Sequence, residues 1–187
     1  MSPTDEELVR ALRGGHMDAF DALYDRYERR LYGYIRRIVK DPCAAEDLFQ
    51  EVFLTVLRDR TYDPARGRFA AWLFMVARNR CLADMRRRRT REGLKGEVEA
   101  RWRPPAPESP ERLVGDASRV HAAIAALPEG QRQLILLKQL GELTYREIAG
   151  LLGVAEGTIK SRLHAATAAL RRLLADGPPP TKKTQGT

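Results

Sequence analysis

Residues 144–164 read TYREIAGLLGVAEGTIKSRLH, which comprises a short helical segment, a glycine-containing turn and a second helical segment. Thr144 and Glu147 form a capping box that opens the first segment. Gly153 supplies the turn before the second segment. Apolar residues recur where two crossing helices would pack together, namely at Ile148, Leu152, Val154, Ile159 and Leu163. These proportions predict a helix-turn-helix.

The outer side of the second helix is predicted to be polar and cationic. Short hydroxyl groups and long hydrogen-bond donors on a helix suit base edges and phosphates in a DNA major groove. The candidate residues on this side are Glu156, Thr158, Lys160, Ser161 and His164, with Arg162 beside them. The alternative interpretation is an ordinary helical hairpin whose polar face is solvated.

Helical patterning extends over most of the chain. Helices are predicted at 120–127, 129–140 and 155–175, and Pro128 suits the start of the second of these. Near the N-terminus, Thr4 and Glu7 form another capping box, and apolar residues recur at intervals of three and four from Phe20 to Ile38. Further helices are expected at 44–57 and 70–89. Residues 1–90 show no series of β-strands, so the predicted fold class is all-α.

Two segments interrupt the helices. Residues 61–69, TYDPARGRF, have the proline and glycine chemistry of a loop. Residues 92–118 contain glycines and four prolines with sparse apolar content, which predicts a flexible linker. We therefore expect two small helical domains, 1–91 and 119–175, joined by the linker and followed by a disordered tail at 176–187.

The charge distribution indicates a polyanionic partner. The 187 residues carry 33 Lys and Arg against 25 Asp and Glu, a formal charge of +8, which favours nucleic acid over a membrane surface. Residues 78–91 contain seven Arg and one Asp, and residues 119–175 contain eight basic and four acidic side chains. The stretch between them has an acidic excess. Two basic regions on separate modules predict two nucleic-acid contacts.

Composition argues against several other classes. No apolar run approaches the ~18 residues that a membrane span requires, and the polar start MSPTDEELVR is not that of a signal peptide. Cys43 and Cys81 lack CxxC spacing and are expected to be reduced thiols. We expect no metal and no cofactor, because His16, His121 and His164 have no cysteine at ligand spacing. An enzyme is not predicted, because the sequence lacks a glycine-rich phosphate loop, a nucleophile elbow and paired carboxylates.

The 61–69 loop combines aromatic and cationic residues. Tyr62 and Phe69 lie among Arg66 and Arg68, and rings between cations can hold splayed single-stranded bases by stacking and charge. The loop and the arginine-rich helix after it are therefore a candidate single-strand contact. The alternative is that these rings belong to the core near the helix start, as is expected for Trp72.

At these residues the chain resembles the extracytoplasmic-function sigma factors, group IV of the sigma-70 family. The stretches AAEDLFQEVFLTVLRD (44–59) and FAAWLFMVARNRCLADMRRRR (69–89) resemble region 2 of that family. The stretch LPEGQRQLILLKQLGELTYREIAGLLGVAEGTIKSRL (127–163) resembles its region 4. The two blocks occur in the family's order with a linker between them.

The resemblance implies an alternative sigma factor of the cytoplasm that binds core RNA polymerase and directs promoter recognition, DNA melting and transcription initiation. The residues that would bind the clamp helices of the largest polymerase subunit are Asp47, Gln50 and Glu51. The residues that would melt and read the −10 element are Tyr62, Arg66, Arg68, Phe69, Arg78, Asn79, Arg80 and Arg86. The residues that would read the −35 element are Glu156, Thr158, Lys160, Ser161, Arg162 and His164.

The implied partners are core polymerase, including its flap, promoter DNA and an anti-sigma factor, without membrane insertion. Ala165 and Thr167 stand where the family commonly has arginine, which bears on the strength of −35 binding. One rival is a stand-alone helix-turn-helix transcription regulator, which accounts for 119–175 but not for the arginine-rich helix. A second rival is a helical adaptor that binds only protein.

Overall fold

The computed structural model describes residues 2–58, 61–95 and 116–176, and within these ranges it contains eight α-helices, one short 3₁₀ turn and no β-strand. The predicted all-α fold is confirmed. The helices are α1 Asp5–Arg13, α2 Asp18–Val39, α3 Pro42–Arg58, α4 Phe69–Lys95, α5 Asp116–Ala126, α6 Glu129–Gln139, α7 Tyr145–Leu152 and α8 Glu156–Asp176. We call α1–α4 the N-terminal bundle and α5–α8 the C-terminal bundle.

The first two helices carry the predicted start signal and apolar spacing. The Thr4 hydroxyl accepts a hydrogen bond from the Glu7 N–H, and the Glu7 carboxylate accepts the Thr4 N–H at 2.7 Å. The buried stripe of α2 consists of Ala19, Leu23, Tyr27, Leu31, Tyr34, Ile35 and Ile38. Because α2 packs against α1, α3, α4 and α6, it is the central helix of the molecule.

α3 and α4 complete the N-terminal bundle. α3 begins at Pro42, two residues before the predicted start, because proline is favoured in the first turn of a helix. Its buried side chains are Ala44, Ala45, Leu48, Val52, Phe53 and Val56. The first half of α4 buries Phe69, Leu73, Phe74, Ala77 and Cys81. Cys43 and Cys81 are both free thiols, and burial raises the pKa of Cys81 to about 12.

The C-terminal bundle contains the predicted helix-turn-helix. α7 opens with the Thr144–Glu147 capping box and ends at Gly153, which adopts the left-handed conformation, φ 66°. α8 follows from Glu156, and the two helices bury Ile148, Ala149, Ile159, Leu163 and Ala166. The predicted packing of α7 on α8 is therefore confirmed.

The boundaries of the linker differ from the prediction. α4 continues to Lys95 and includes Gly93, and α5 already begins at Asp116. A single glycine inside a helix costs only about 1 kcal/mol. The six helical turns that precede Gly93 are stable enough for α4 to continue through it. The remainder of the predicted linker, 96–115, and the predicted tail from residue 177 lie outside the described residues.

Candidate nucleic-acid interface

The 61–69 loop keeps its two aromatic rings in the core. Tyr62 and Phe69 are only 3% and 1% exposed, and their rings meet edge to face at 5.5 Å. Phe69 also meets the ring of Tyr27 on α2 at 5.6 Å. The first turn of α4 faces α2, and burying this aromatic area there is favourable. In this conformation neither ring is accessible to a stacked base, and both rings lie in the core near the start of α4, as the alternative interpretation expects.

The cations of the same loop stay at the surface. The Arg66 guanidinium lies 3.6 Å from the Asp63 carboxylate and is mostly exposed. Arg68 has its side chain half-exposed and directed at the C-terminal bundle. The outward chemistry of the loop is therefore cationic rather than aromatic.

The predicted −10 residues on α4 differ in exposure. Asn79 and Arg86 are exposed, although the Arg86 Nε donates to the Leu82 carbonyl of its own helix at 3.1 Å. Arg78 is half-buried, and its Nε is buried without a hydrogen-bond partner among the described residues. Asn79 and Arg86 are thus available to a ligand in this conformation, whereas Arg78 is only partly so.

The predicted polymerase-binding residues share one face of α3. The exposed residues on this face, at intervals of three and four, are Asp47, Gln50, Glu51, Leu54 and Arg58. Leu54 is 42% exposed in the middle of this polar face and was not predicted as a site residue. Its helical spacing from Asp47, Gln50 and Glu51 is the signal that could have placed it on this face.

Arg80 links α4 to this polar face of α3. Its guanidinium donates to Glu51 Oε2 at 2.9 Å and to Thr55 Oγ1 at 3.2 Å. All three groups are on the surface, so this contact stabilises little by itself. It does orient Arg80 towards α3.

The outer face of α8 has the predicted character. Lys160, Ser161, Arg162 and His164 are exposed, while Ile159 and Leu163 on the opposite side are buried. The remaining two predicted residues also lie near the start of α8, where Glu156 pairs with Lys160 at 3.1 Å and the carbonyl of half-buried Thr158 accepts the Ser161 hydroxyl at 3.1 Å. The structure therefore brings all six predicted −35 residues to the first three turns of one helix.

A bidentate ion pair connects the two bundles. The Arg68 Nε and Nη2 each donate to one carboxylate oxygen of Glu147 at 2.6 Å. The Arg68 Nη2 also donates to the Glu142 carbonyl at 3.2 Å. Hydrogen bonding from Arg68 and Thr144 lowers the pKa of Glu147 to about 2, against the opposing effect of burial. A predicted −10 residue is thus bound to the first turn of the helix-turn-helix.

The turn between α6 and α7 provides more of this contact. Arg30 on α2 donates to the Leu140 carbonyl at 2.8 Å and pairs with the Glu142 carboxylate at 3.1 Å. Glu142 adopts a positive φ of 51°. A Cβ on Gly141 would lie 2.5 Å from the Leu137 carbonyl, so this close approach requires glycine. Gly141 thus allows the tight end of α6, and Arg30 of α2 binds the residues on either side of it.

Two features are absent from the part of the chain that the structure describes. These residues contain no group of three or more His, Cys, Asp and Glu side chains that could hold a metal ion. No helix among them has the length and apolar character to cross a bilayer.

Comparison with known proteins identifies the family. Sigma-70 region 2 matches residues 23–91, and Sigma-70 region 4 matches residues 117–170. The chain is 33% identical over 175 residues to the ECF RNA polymerase sigma factor SigK of Mycolicibacterium vanbaalenii, an alignment covering 90% of this chain and 88% of that protein. It is 34% identical over 171 residues to the ECF RNA polymerase sigma factor RpoE of Cereibacter sphaeroides, covering 88% and 92%.

A solved structure supports the same assignment. The chain resembles the sigma factor RpoE of Bartonella quintana, solved in complex with the anti-sigma factor NepR, with a TM-score of 0.65 and 26% identity over 85% of this chain and 98% of that chain. The predicted resemblance in both regions is therefore confirmed, as is the predicted function of an alternative sigma factor that directs transcription initiation. On this evidence the chain belongs to the sigma-70 family, as an extracytoplasmic-function RNA polymerase sigma factor.

Proposed function

We propose that this sigma factor contacts promoter DNA with two separate cationic surfaces and binds core polymerase through the outer face of α3. The observation that carries the proposal is the first half of α8, where polar and cationic side chains stand exposed above a buried apolar underside. A helix of this kind can enter a major groove while its other side stays packed on α7.

The −35 contact is assigned to α8. Lys160 and Arg162 supply charge for phosphates or for guanine edges, and Ser161 and His164 supply shorter donors for base edges. Glu156 pairs with Lys160 and so orients its ammonium group, whereas the carbonyl of half-buried Thr158 accepts the Ser161 hydroxyl. Sequence preference is expected to depend on Ser161, Arg162 and His164.

The −10 contact is assigned to the exposed cations of the loop and to α4. Arg66, Asn79 and Arg86 are accessible, and the half-exposed Arg68 also binds Glu147. Phosphate contacts position the strand, and an amide such as Asn79 can hydrogen-bond a base edge. The core rings of Tyr62 and Phe69 support the loop from beneath.

Polymerase binding is assigned to Asp47, Gln50, Glu51 and Leu54. Interfaces commonly place an apolar side chain within a polar rim, and Leu54 has that position on α3. This role places the protein in the cytoplasm with polymerase, as a binding subunit without chemistry of its own. An anti-sigma factor is a further proposed partner, since a similar fold has been solved with one.

Run-off transcription tests the proposal. The protein is added to core polymerase, and open complexes are selected from a library of random promoters. We expect specific initiation only with the protein present. On promoters that carry a −35 element, we expect Lys160→Ala or Arg162→Ala to reduce the yield of run-off transcript at least fivefold. Arg29→Ala is the matched control, because Arg29 is a highly exposed cation of α2 outside both surfaces.

The rivals predict other results. A stand-alone regulator would bind one duplex sequence tightly without polymerase and would initiate nothing. An adaptor that binds only protein would show no promoter selection, and Lys160→Ala would behave like Arg29→Ala. Either result would contradict the proposal.

A further inference from the structure

The first helix holds the start of the 61–69 loop. The Arg13 Nη2 donates to the Tyr62 carbonyl at 2.6 Å, and the guanidinium carbon lies 5.9 Å from the centre of the Tyr62 ring. A guanidinium bonded to a carbonyl and lying near an aromatic ring fixes the residue in both position and orientation. The last cation of α1 is thus bound to the first described turn of the loop.

Tyr62 in turn closes the loop on itself. Its hydroxyl lies 3.2 Å from the Gly67 carbonyl and 3.3 Å from the Glu6 carboxylate. Burial and the nearby Glu6 raise the pKa of Tyr62 to about 12, so the hydroxyl keeps the proton that it donates. Gly67 has φ 146°, a conformation that other residues rarely adopt. The segment from 62 to 67 is therefore a ring closed by Tyr62 and bound to α1 at Glu6 and Arg13.

α1 is itself well anchored. Its first turn is capped by Thr4, and Asp5 is bound by both Arg26 and Tyr27 of α2. A cavity of about 70 Å³ is lined by Leu12 of α1, Tyr62 of the loop and Trp72 of α4, so the apolar packing of α1 against the loop is incomplete there. The polar contacts of Arg13 and Glu6 therefore act together with the buried rings of Tyr62 and Phe69 in fixing the position of the loop relative to α1.

We propose that α1 is a positioning element for promoter reading, in which Arg13 and Glu6 hold the 61–69 loop at the place where Arg66 and Arg68 meet the −10 strand. The region 2 match begins at residue 23 and does not include α1. Arg13 and Glu6 are positioning residues, because they act through Tyr62 and not on DNA. The inference rests on the assignment of this loop to −10 recognition.

The test measures −10 discrimination by the holoenzyme. Promoters randomised at the −10 element are incubated with core polymerase and each variant, and the heparin-resistant open complexes are sequenced. The measured ratio is the yield of open complexes on the best −10 element divided by the yield on elements with one substitution. We expect Arg13→Ala to reduce this ratio about fivefold, because the loop loses a charge-assisted hydrogen bond. Arg13→Lys can still donate to the Tyr62 carbonyl and is expected to restore part of the ratio.

The matched control is Leu12→Ala. It removes an apolar side chain from the same helix and lowers stability, but it leaves the Arg13 and Glu6 contacts in place. A ratio between promoters does not depend on the fraction of folded protein, so Leu12→Ala is expected to keep it. If Arg13→Ala keeps the ratio, or if Leu12→Ala reduces it equally, the positioning role is wrong. If the wild-type holoenzyme itself shows no −10 preference, the assignment of the loop to −10 recognition fails instead.

Discussion

Arg68, in the loop before α4, and Glu147, in the first turn of α7, are 79 positions apart and share two parallel hydrogen bonds of 2.6 Å. The same Glu147 carboxylate accepts the Thr144 N–H at 2.7 Å and so completes the capping box of α7. One carboxylate therefore both opens the helix-turn-helix and binds it to the N-terminal bundle. The side chains of Arg68 and Glu147 are 52% and 16% exposed, so water screens the pair only in part.

Glu147→Gln should loosen the contact between the bundles without unwinding α7. Glutamine can still complete a capping box, but it cannot form the ion pair with Arg68. A partly exposed pair of this kind contributes about 1 kcal/mol, so amide hydrogen exchange in the 61–69 loop and the α6–α7 turn should rise about fivefold. Glu156→Gln, which removes only a pair within α8, is the control. Equal exchange in wild type and Glu147→Gln would show that other contacts hold the bundles together.

The stabilising effect of Glu147 should depend on pH in one direction. The pKa of this group is lowered from 4.5 to about 2 in the folded chain, so its contribution is complete above pH 4.5 and is lost as the pH falls towards 2. The difference in urea midpoint between wild type and Glu147→Gln should be constant from about pH 7 to pH 5 and should shrink by about pH 3. A difference that grew on acidification would contradict the assignment of the shift to Glu147.

Ala165→Arg should strengthen binding of the holoenzyme to promoters with a −35 element. Ala165 is exposed one turn after Ser161, at the edge of the proposed DNA-facing side of α8. A cation there adds a phosphate contact, which steepens the salt dependence by about one ion and leaves the preferred sequence unchanged. Holoenzyme titration on one promoter at several salt concentrations measures both quantities.

Ala175→Arg adds the same charge near the end of α8, beyond the proposed contact. It is the control for a general effect of net charge and should change the salt slope less. If the two variants behave alike, or if Ala165→Arg has no effect, residue 165 does not face DNA.

Leu54→Ala should weaken assembly with core polymerase while the chain stays folded. The side chain is already 42% exposed, so its truncation removes little core packing. Loss of its burial at an interface costs about 1–2 kcal/mol, or roughly a fivefold to thirtyfold increase in Kd. Met17→Ala, at another exposed apolar residue, should leave the Kd unchanged. Unaltered assembly by Leu54→Ala would remove this side chain from the polymerase surface.

The local sequence was sufficient to predict the helices and their buried faces. The capping boxes at Thr4 and Thr144 were predicted from residues three apart, and the buried stripe of α2 was predicted from spacing alone. The outer face of α8 followed from the same periodicity, because the side of a helix that a residue occupies depends only on its position along the chain. For the same reason the polar face of α3 was predictable, although the prediction did not include the apolar Leu54 on that face.

The roles of the loop residues could not be obtained this way. An aromatic residue between arginines suits both a stacking surface and a core, and only the packing of α4 on α2 decided that Phe69 and Tyr62 are buried. The partners of Arg13, Arg68 and Arg80 were equally undetermined, because a guanidinium on a long side chain binds whichever acceptor the fold brings near. Fold class and family thus followed from patterns within single helices and from motif order, whereas the contacts that position the loop join distant residues and exist only in the folded chain.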